Sequence, residues 1–156
     1  MNYAGFWKRF AAYLIDSVII GIVMGIVMMI FGIGLFGSLA TVDPMEMEMD
    51  EDAANAMAAG VIGGMITFFL LLSAAQWLYF ALMESSAKQA TLGKMALSII
   101  VTDLNGNRLS FGRATGRYFG KIISGAILMI GYIMAGFTEK KQALHDIIAG
   151  CLVVNK

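Results

Sequence analysis

Two long apolar runs limit what this chain can fold into. From Phe10 to Val42 the only charged residue is Asp16, and from Ala53 to Met83 there is none. A bilayer core of about 30 Å is crossed by about 20 apolar residues of helix, so either run is long enough. In lipid the backbone must satisfy its own hydrogen bonds, which makes each run a helix. The spans are expected at 10–39 and 54–83. Apolar residues make up 59% of the chain and charged ones 14%, against about a quarter charged in a soluble domain. The first run follows Lys8 and Arg9 and ends near Ser38-Leu39-Ala40, a small-x-small pattern. It is nevertheless about twice as long as a signal-peptide core, and Asp16 interrupts it, so it reads as a retained helix.

The charges are segregated, although they sum to zero. Residues 43–52 read Asp-Pro-Met-Glu-Met-Glu-Met-Asp-Glu-Asp, and no base lies between Arg9 and Lys88. The positive-inside rule puts this acidic loop outside and both outer ends of the helical hairpin in the cytoplasm. Phe6, Trp7 and Tyr13 at the start of the first span, and Trp77 and Tyr79 near the end of the second, suit headgroup-level aromatic belts. The expected location is an inner (cytoplasmic) membrane, multi-pass, with a cytoplasmic N-terminus.

A third apolar run, Ile122 to Phe137, is shorter and is broken by Gly125, Gly131 and Gly136. Spanning, it would carry Lys140, Lys141 and Lys156 outside; re-entering, it keeps every base on one side. The re-entrant form is favoured, within a membrane-embedded segment at 113–137. Ala96 to Asp103 is β-branched and strand-like, Asn105-Gly106 signals a hairpin turn, and Arg108 to Phe111 fits a return strand. Cys151 to Val154 is another strand-like piece able to pair with it. The expected fold is thus an all-α integral membrane protein with two transmembrane helices, a third membrane-embedded helical segment, re-entrant or spanning, and a small cytoplasmic β element at 96–111. A cytoplasmic C-terminal motif follows at 138–156.

Asp16 is the first candidate for chemistry, because an ionisable residue inside a span is costly and points to a functional site. Arg9 precedes it by two helical turns and shares its face, with Tyr13 between them. Two roles fit: a carboxylate that fixes packing against a neighbouring helix, or a proton- or cation-binding group. Arg113, Arg117 and Lys121 form a basic stripe beside Gly112, Gly116 and Gly120, whose four-residue spacing gives a smooth face for close helix contact. The stripe suits an interfacial helix meeting anionic headgroups, or neutralisation of Asp16 and Asp146. Gly21 and Gly25, like Gly60 and Gly64, are further close-packing positions within the spans.

Other motifs exclude more than they propose. His145-Asp146 has no matched serine or cysteine and is not a triad; Asp146 suits a helix cap or ion pair, and His145 a pH sensor. The loop alternation of Met45, Met47 and Met49 with acids suits soft or hard cations, but reads first as a solvated connection. Thr91-Leu-Gly-Lys94 lacks phosphate-loop spacing. With one cysteine, Cys151, and one histidine, neither a disulfide nor a Cys/His metal site is expected. No enzyme, cofactor, resident metal or nucleic-acid partner is expected.

Several stretches together resemble the RDD family of membrane proteins, named for one arginine and two aspartates. They are Gly-Phe-Trp-Lys-Arg-Phe-Ala-Ala-Tyr-Leu-Ile-Asp at 5–16, Ala-Thr-Leu-Gly-Lys at 90–94 and Ile-Val-Thr-Asp-Leu-Asn-Gly at 100–106. Arg113 and Arg117 follow, then Lys-Lys-Gln-Ala-Leu-His-Asp-Ile-Ile-Ala-Gly-Cys-Leu-Val-Val at 140–154. The resemblance covers nearly the whole chain as one domain, 1–156. It implies that Arg9 is the family arginine, Asp16 the first aspartate and Asp146 the second. Cys151 stands where relatives often carry threonine.

The resemblance implies either transport, including sodium/proton exchange, or assembly with other membrane proteins. As a transporter, Asp16 would bind Na⁺ or H⁺, Arg9 and Arg117 would tune it, and Asp146 would couple from the cytoplasm. So few segments enclose a pathway only as a homo-oligomer. As a scaffold or accessory subunit, Arg9, Asp16 and Asp146 form a structural polar network, and the β element docks a membrane protein partner.

Overall fold

The structure, a computed structural model, describes residues 1–40, 50–127 and 130–156. Most of the acidic methionine-bearing loop, and with it the metal-binding alternative, lies outside the described residues. Helix α1 runs Phe6–Ala40 and α2 Glu51–Ser85. Both are long and apolar enough to cross a membrane, over Phe6–Leu35 and Glu51–Ser85. Each begins several residues earlier than its apolar run. At α2 the reason is local: the Asp50 carboxylate accepts from the Ala53 N–H at 2.8 Å, and Glu51 and Asp52 occupy the positive end of the helix dipole. At its other end α2 continues past Met83 and carries Glu84 into the protein interior.

The described residues form two compact units, Ile20–Ala75 and the remainder, Met1–Ile19 with Gln76–Lys156. In the first, Phe31 and Phe68 stack with centroids 3.8 Å apart. Thr67 and Ser73 return their hydroxyls to carbonyls one turn back, Gly63 and Phe69, so neither hydroxyl needs water.

The second unit contains everything else. Short helix α3 (Leu92–Ala96) leads to strand β1 (Ile99–Asp103), helix α4 (Phe111–Ala126), helix α5 (Ile130–Ile133) with a 3₁₀ turn at Met134–Gly136, helix α6 (Leu144–Ala149) and strand β2 (Cys151–Asn155). β1 and β2 pair antiparallel, Val101 opposite Val153 and Asp103 opposite Cys151. Tyr3 bridges Val154, and the Ala4 N–H donates to the Val153 carbonyl at 2.9 Å. The N-terminal residues therefore line the free edge of β2. Ile99, Val101, Cys151 and Val153, alternate residues of the two strands, bury with Ala4, Ala12 and Leu109 as the core.

Two expectations are corrected here. The stretch from Ala96 is not all strand, because α3 occupies its start. The Asn105-Gly106 turn forms, with the Asp103 carboxylate accepting from the N–H groups of Asn105 (2.9 Å) and Asn107 (2.8 Å). No return strand follows it: Arg108 makes one bridge to Thr102, and Ser110 then caps α4 by accepting from the Arg113 N–H at 3.3 Å. β1 pairs instead with β2, the strand-like piece expected at Cys151 to Val154.

The third apolar run is not one straight helix. α4 and the α5 segment meet at 117°, and the Tyr132 hydroxyl donates to the Lys121 carbonyl at 3.0 Å. Gly131 makes this fold-back possible, since a Cβ there would lie 2.8 Å from Ser124.

Candidate functional site

α1 presents Arg9, Ala12 and Asp16 to the interior, while Tyr13 faces outward. Ala12 is small enough to let α3 press against α1. Gly93 of α3 sits so close that a Cβ would stand 2.2 Å from the Ala12 carbonyl oxygen. That approach brings the Gly93 N–H to 2.8 Å from Asp16 Oδ1. The Thr91 hydroxyl donates to Asp16 Oδ2 at 2.5 Å, and the Tyr79 hydroxyl donates to Oδ1 at 3.2 Å while accepting from the Leu92 N–H. Asp16 is 2% exposed. Three donors thus surround a carboxylate inside a span, supplying what water would supply outside it.

The expected pairing of Asp16 with Arg9 or the α4 stripe does not occur. Arg9 turns to Asp146, to which its Nη1 donates, and its Nε donates to the Ala4 carbonyl at 2.9 Å. Arg117 is 3% exposed; its Nε donates to Asp146 Oδ1 at 2.8 Å and its Nη1 to Glu84 Oε1 at 2.6 Å. Lys94 donates to the same Glu84 oxygen, and Lys121 Nζ lies 3.7 Å from it. The result is one chain of charges, Lys94–Glu84–Arg117–Asp146–Arg9, tying α3, α2, α4, α6 and α1 together. A guanidinium suits the central place because its rigid fork serves two carboxylates at once.

Secondary contacts fix the network. The Ala143 N–H donates to Asp146 Oδ2 at 3.1 Å, so Asp146 also closes the first turn of α6. Burial alone would raise its carboxyl, but Arg117 and Arg9 hold it well below the usual carboxylate range. Burial, helped by Arg117 and opposed by Glu84, pushes Lys94 down to about 7. Burial pushes His145 down to about 3, so it is neutral at physiological pH and is no sensor there. Its Nδ1 lies 3.2 Å from the Ser124 hydroxyl. Burial pushes Cys151 up to about 12, leaving an inert thiol.

Arg113 stands apart from this cluster, more than half exposed and 4.0 Å from Asp103. The basic stripe is therefore no single headgroup-facing surface: one member is exposed, and Arg117 is sealed. Of the glycines singled out as helix-packing positions, only Gly120 is a close contact among the described residues, where a Cβ would stand 3.1 Å from His145 Cβ. A Cβ at Gly21, Gly25, Gly60, Gly64, Gly112 or Gly116 would meet nothing within 4 Å among the described residues.

Glu84, Lys94, Thr91, Gly93 and Tyr79 belong to the site and were not chosen from sequence. Glu84 was legible as the acid that ends the second apolar run. Thr91, Gly93 and Lys94 lie in a stretch that carries part of the family resemblance and lacks phosphate-loop spacing, and neither reading assigns them to Asp16 or Glu84. Among the described residues, no group of three or more His, Cys, Asp or Glu is placed to hold a metal ion.

The chain is 39% identical over 154 residues to the uncharacterized protein YxaI of Bacillus subtilis (strain 168), covering 98% of this chain and 97% of that one. It is 32% identical over 160 residues to the uncharacterized membrane protein YteJ of the same organism, covering 99% and 82%. No solved structure matches. A profile of the RDD family matches residues 3–150, and the chain belongs to that family of membrane proteins.

Proposed function

We propose that the protein is a non-transporting membrane scaffold or accessory subunit, in which the arginine and aspartates are a structural network. The observation that carries this reading is the saturation of Asp16 by Thr91, Gly93 and Tyr79. A bound cation is coordinated by oxygen lone pairs. Here the carboxylate faces donor hydrogens, which repel a cation. The charges of Arg117, Glu84 and Asp146 are likewise spent on one another, and such networks serve best to fix a unique register. The bases cluster away from the acidic loop, which supports an inner-membrane protein with its N-terminus and the β1–β2 side of the compact unit in the cytoplasm. There the unit offers a rigid platform to a membrane protein partner.

Reconstitution into liposomes tests this. A sodium gradient should drive no proton flux above that of empty vesicles, and Asp16→Asn should lower the melting temperature in detergent. Sodium-dependent flux that disappears in Asp16→Asn, with melting unchanged, would establish transport instead.

A further inference from the structure

Beside the start of α1 lies a groove of about 440 Å³, lined by Phe6, Trp7, Ile133, Gly136, Phe137 and Lys141 among others. That volume falls within the range of small-molecule sites. Its walls are apolar yet open: Trp7 is 77% exposed and Phe137 86%. One end is basic. Lys141 adopts φ +48°, a left-handed conformation costly for a side-chain-bearing residue. The turn that imposes it is fixed by the Thr138 hydroxyl, which accepts from the Gln142 N–H at 2.7 Å and donates to the Gln142 carbonyl at 3.0 Å. The Gln142 amide anchors that turn to the Cys151 carbonyl at 2.8 Å. The Lys141 ammonium is thereby held over the helix start, 3.9 Å from where a Gly5 Cβ would be.

Among the described residues, no carboxylate pairs with Lys141 or its exposed neighbour Lys140. Lys8, next to Trp7, is by contrast tied to Asn155 Oδ1 at 2.6 Å. The groove thus joins an apolar trough to the unneutralised Lys141 ammonium, with Lys140 beside it in sequence, at the end of a span, where the bilayer passes from hydrocarbon to headgroup.

We propose that this groove is a binding site for one anionic phospholipid, its acyl chain along Phe6, Trp7, Ile133 and Phe137 and its phosphate at Lys141 and Lys140. Charge complementarity selects this occupant: a neutral hydrocarbon would leave both ammonium groups unpaired, and a free anion would leave the aromatic walls uncovered. The site is independent of whether the protein carries ions.

Trp7 reports on it directly. In the full chain carrying Trp77→Phe, Trp7 is the only tryptophan. The protein is reconstituted into phosphatidylcholine vesicles containing brominated phosphatidylglycerol or, at the same mole fraction, brominated phosphatidylcholine, and quenching of Trp7 is measured. The anionic lipid should be preferred on the order of fivefold. The preference should fall to near unity in Lys140→Gln/Lys141→Gln, survive in the control Lys88→Gln/Lys156→Gln, and resist excess inorganic phosphate. Equal quenching by the two lipids overturns the proposal. So does equal loss in both double variants, which would mean general surface attraction, or displacement by phosphate, which would mean a free-anion site.

Discussion

The Gly93 N–H donates to the Asp16 carboxylate across 77 positions of sequence, at 2.8 Å. The contact exists because neither Gly93 nor Ala12 has bulk to keep α3 off α1. Gly93→Ala would drive a methyl group into the Ala12 carbonyl, and overpacking of this kind costs about 1–3 kcal/mol. A clear fall in melting temperature in detergent is expected. Gly112→Ala and Gly116→Ala meet open space on a helix and should gain about 0.5–1 kcal/mol. If those glycines instead pack a second copy of the chain, the same variants will lower the cross-linked dimer fraction.

Arg117 bridges two buried acids, so its removal breaks the chain of charges and leaves Asp146 to Arg9 and Glu84 to its lysines alone. Arg117→Met is expected to cost about 3–5 kcal/mol. Arg117→Lys should recover little, because an ammonium cannot reproduce the fork that meets Glu84 and Asp146 together. In a double-mutant cycle with Glu84→Gln, the combined loss should be smaller than the sum of the single losses. Strict additivity would mean that the two side chains are not coupled.

Two groups give stability a predictable pH dependence. Asp146 has a depressed pKa in the folded state, so its contribution is present above the unfolded value of about 4 and lost as pH falls through the folded one. Lys94 is also depressed, to about 7, but it is a base. Between there and its unfolded value of about 10.4 the unfolded chain binds more protons, so stability should rise with pH. Melting temperatures followed from pH 7 to pH 9.5 should climb in the wild type and climb less in Lys94→Met.

Cys151 is buried and its thiol is pushed up to about 12. N-ethylmaleimide should leave it unmodified at pH 8 in mild detergent and modify it fully after denaturation in sodium dodecyl sulfate, as read by mass spectrometry. Rapid labelling of the folded protein would show that the β1–β2 core opens.

The spans were legible because hydropathy is a matter of composition, and a run such as Ala53 to Met83 admits one solution in lipid. Asp16 and Asp146 stood out for related reasons, one as a charge inside an apolar run, the other through the resemblance. An ion pair of the α4 stripe with Asp146 was among the sequence readings, but the choice of Arg117 for it and the second partner Glu84 were not legible. Arg117 lies in a four-residue series with Arg113 and Lys121, a spacing that reads as a solvated face. Its burial depends on Glu84 and Asp146, which lie 33 and 29 positions away. Periodicity reports what one helix presents, not what the rest of the chain brings to it. The return strand at Arg108 to Phe111 failed for the same reason: Asn105-Gly106 announces a local hairpin, but β1 pairs with the other strand-like piece, at Cys151–Asn155.

Synthesis gives the Arg9–Asp146 pair a temporal meaning. The two residues are 137 positions apart, so α1 leaves the ribosome and enters the bilayer long before its guanidinium can meet its carboxylate. Through that interval Arg9, and later Glu84 and Arg117, must be held by water, headgroups or the insertion machinery. A nascent chain stalled short of Asp146 would leave Arg9 and Arg117 without that carboxylate, a mark by which cellular quality control can tell an unfinished copy from a finished one.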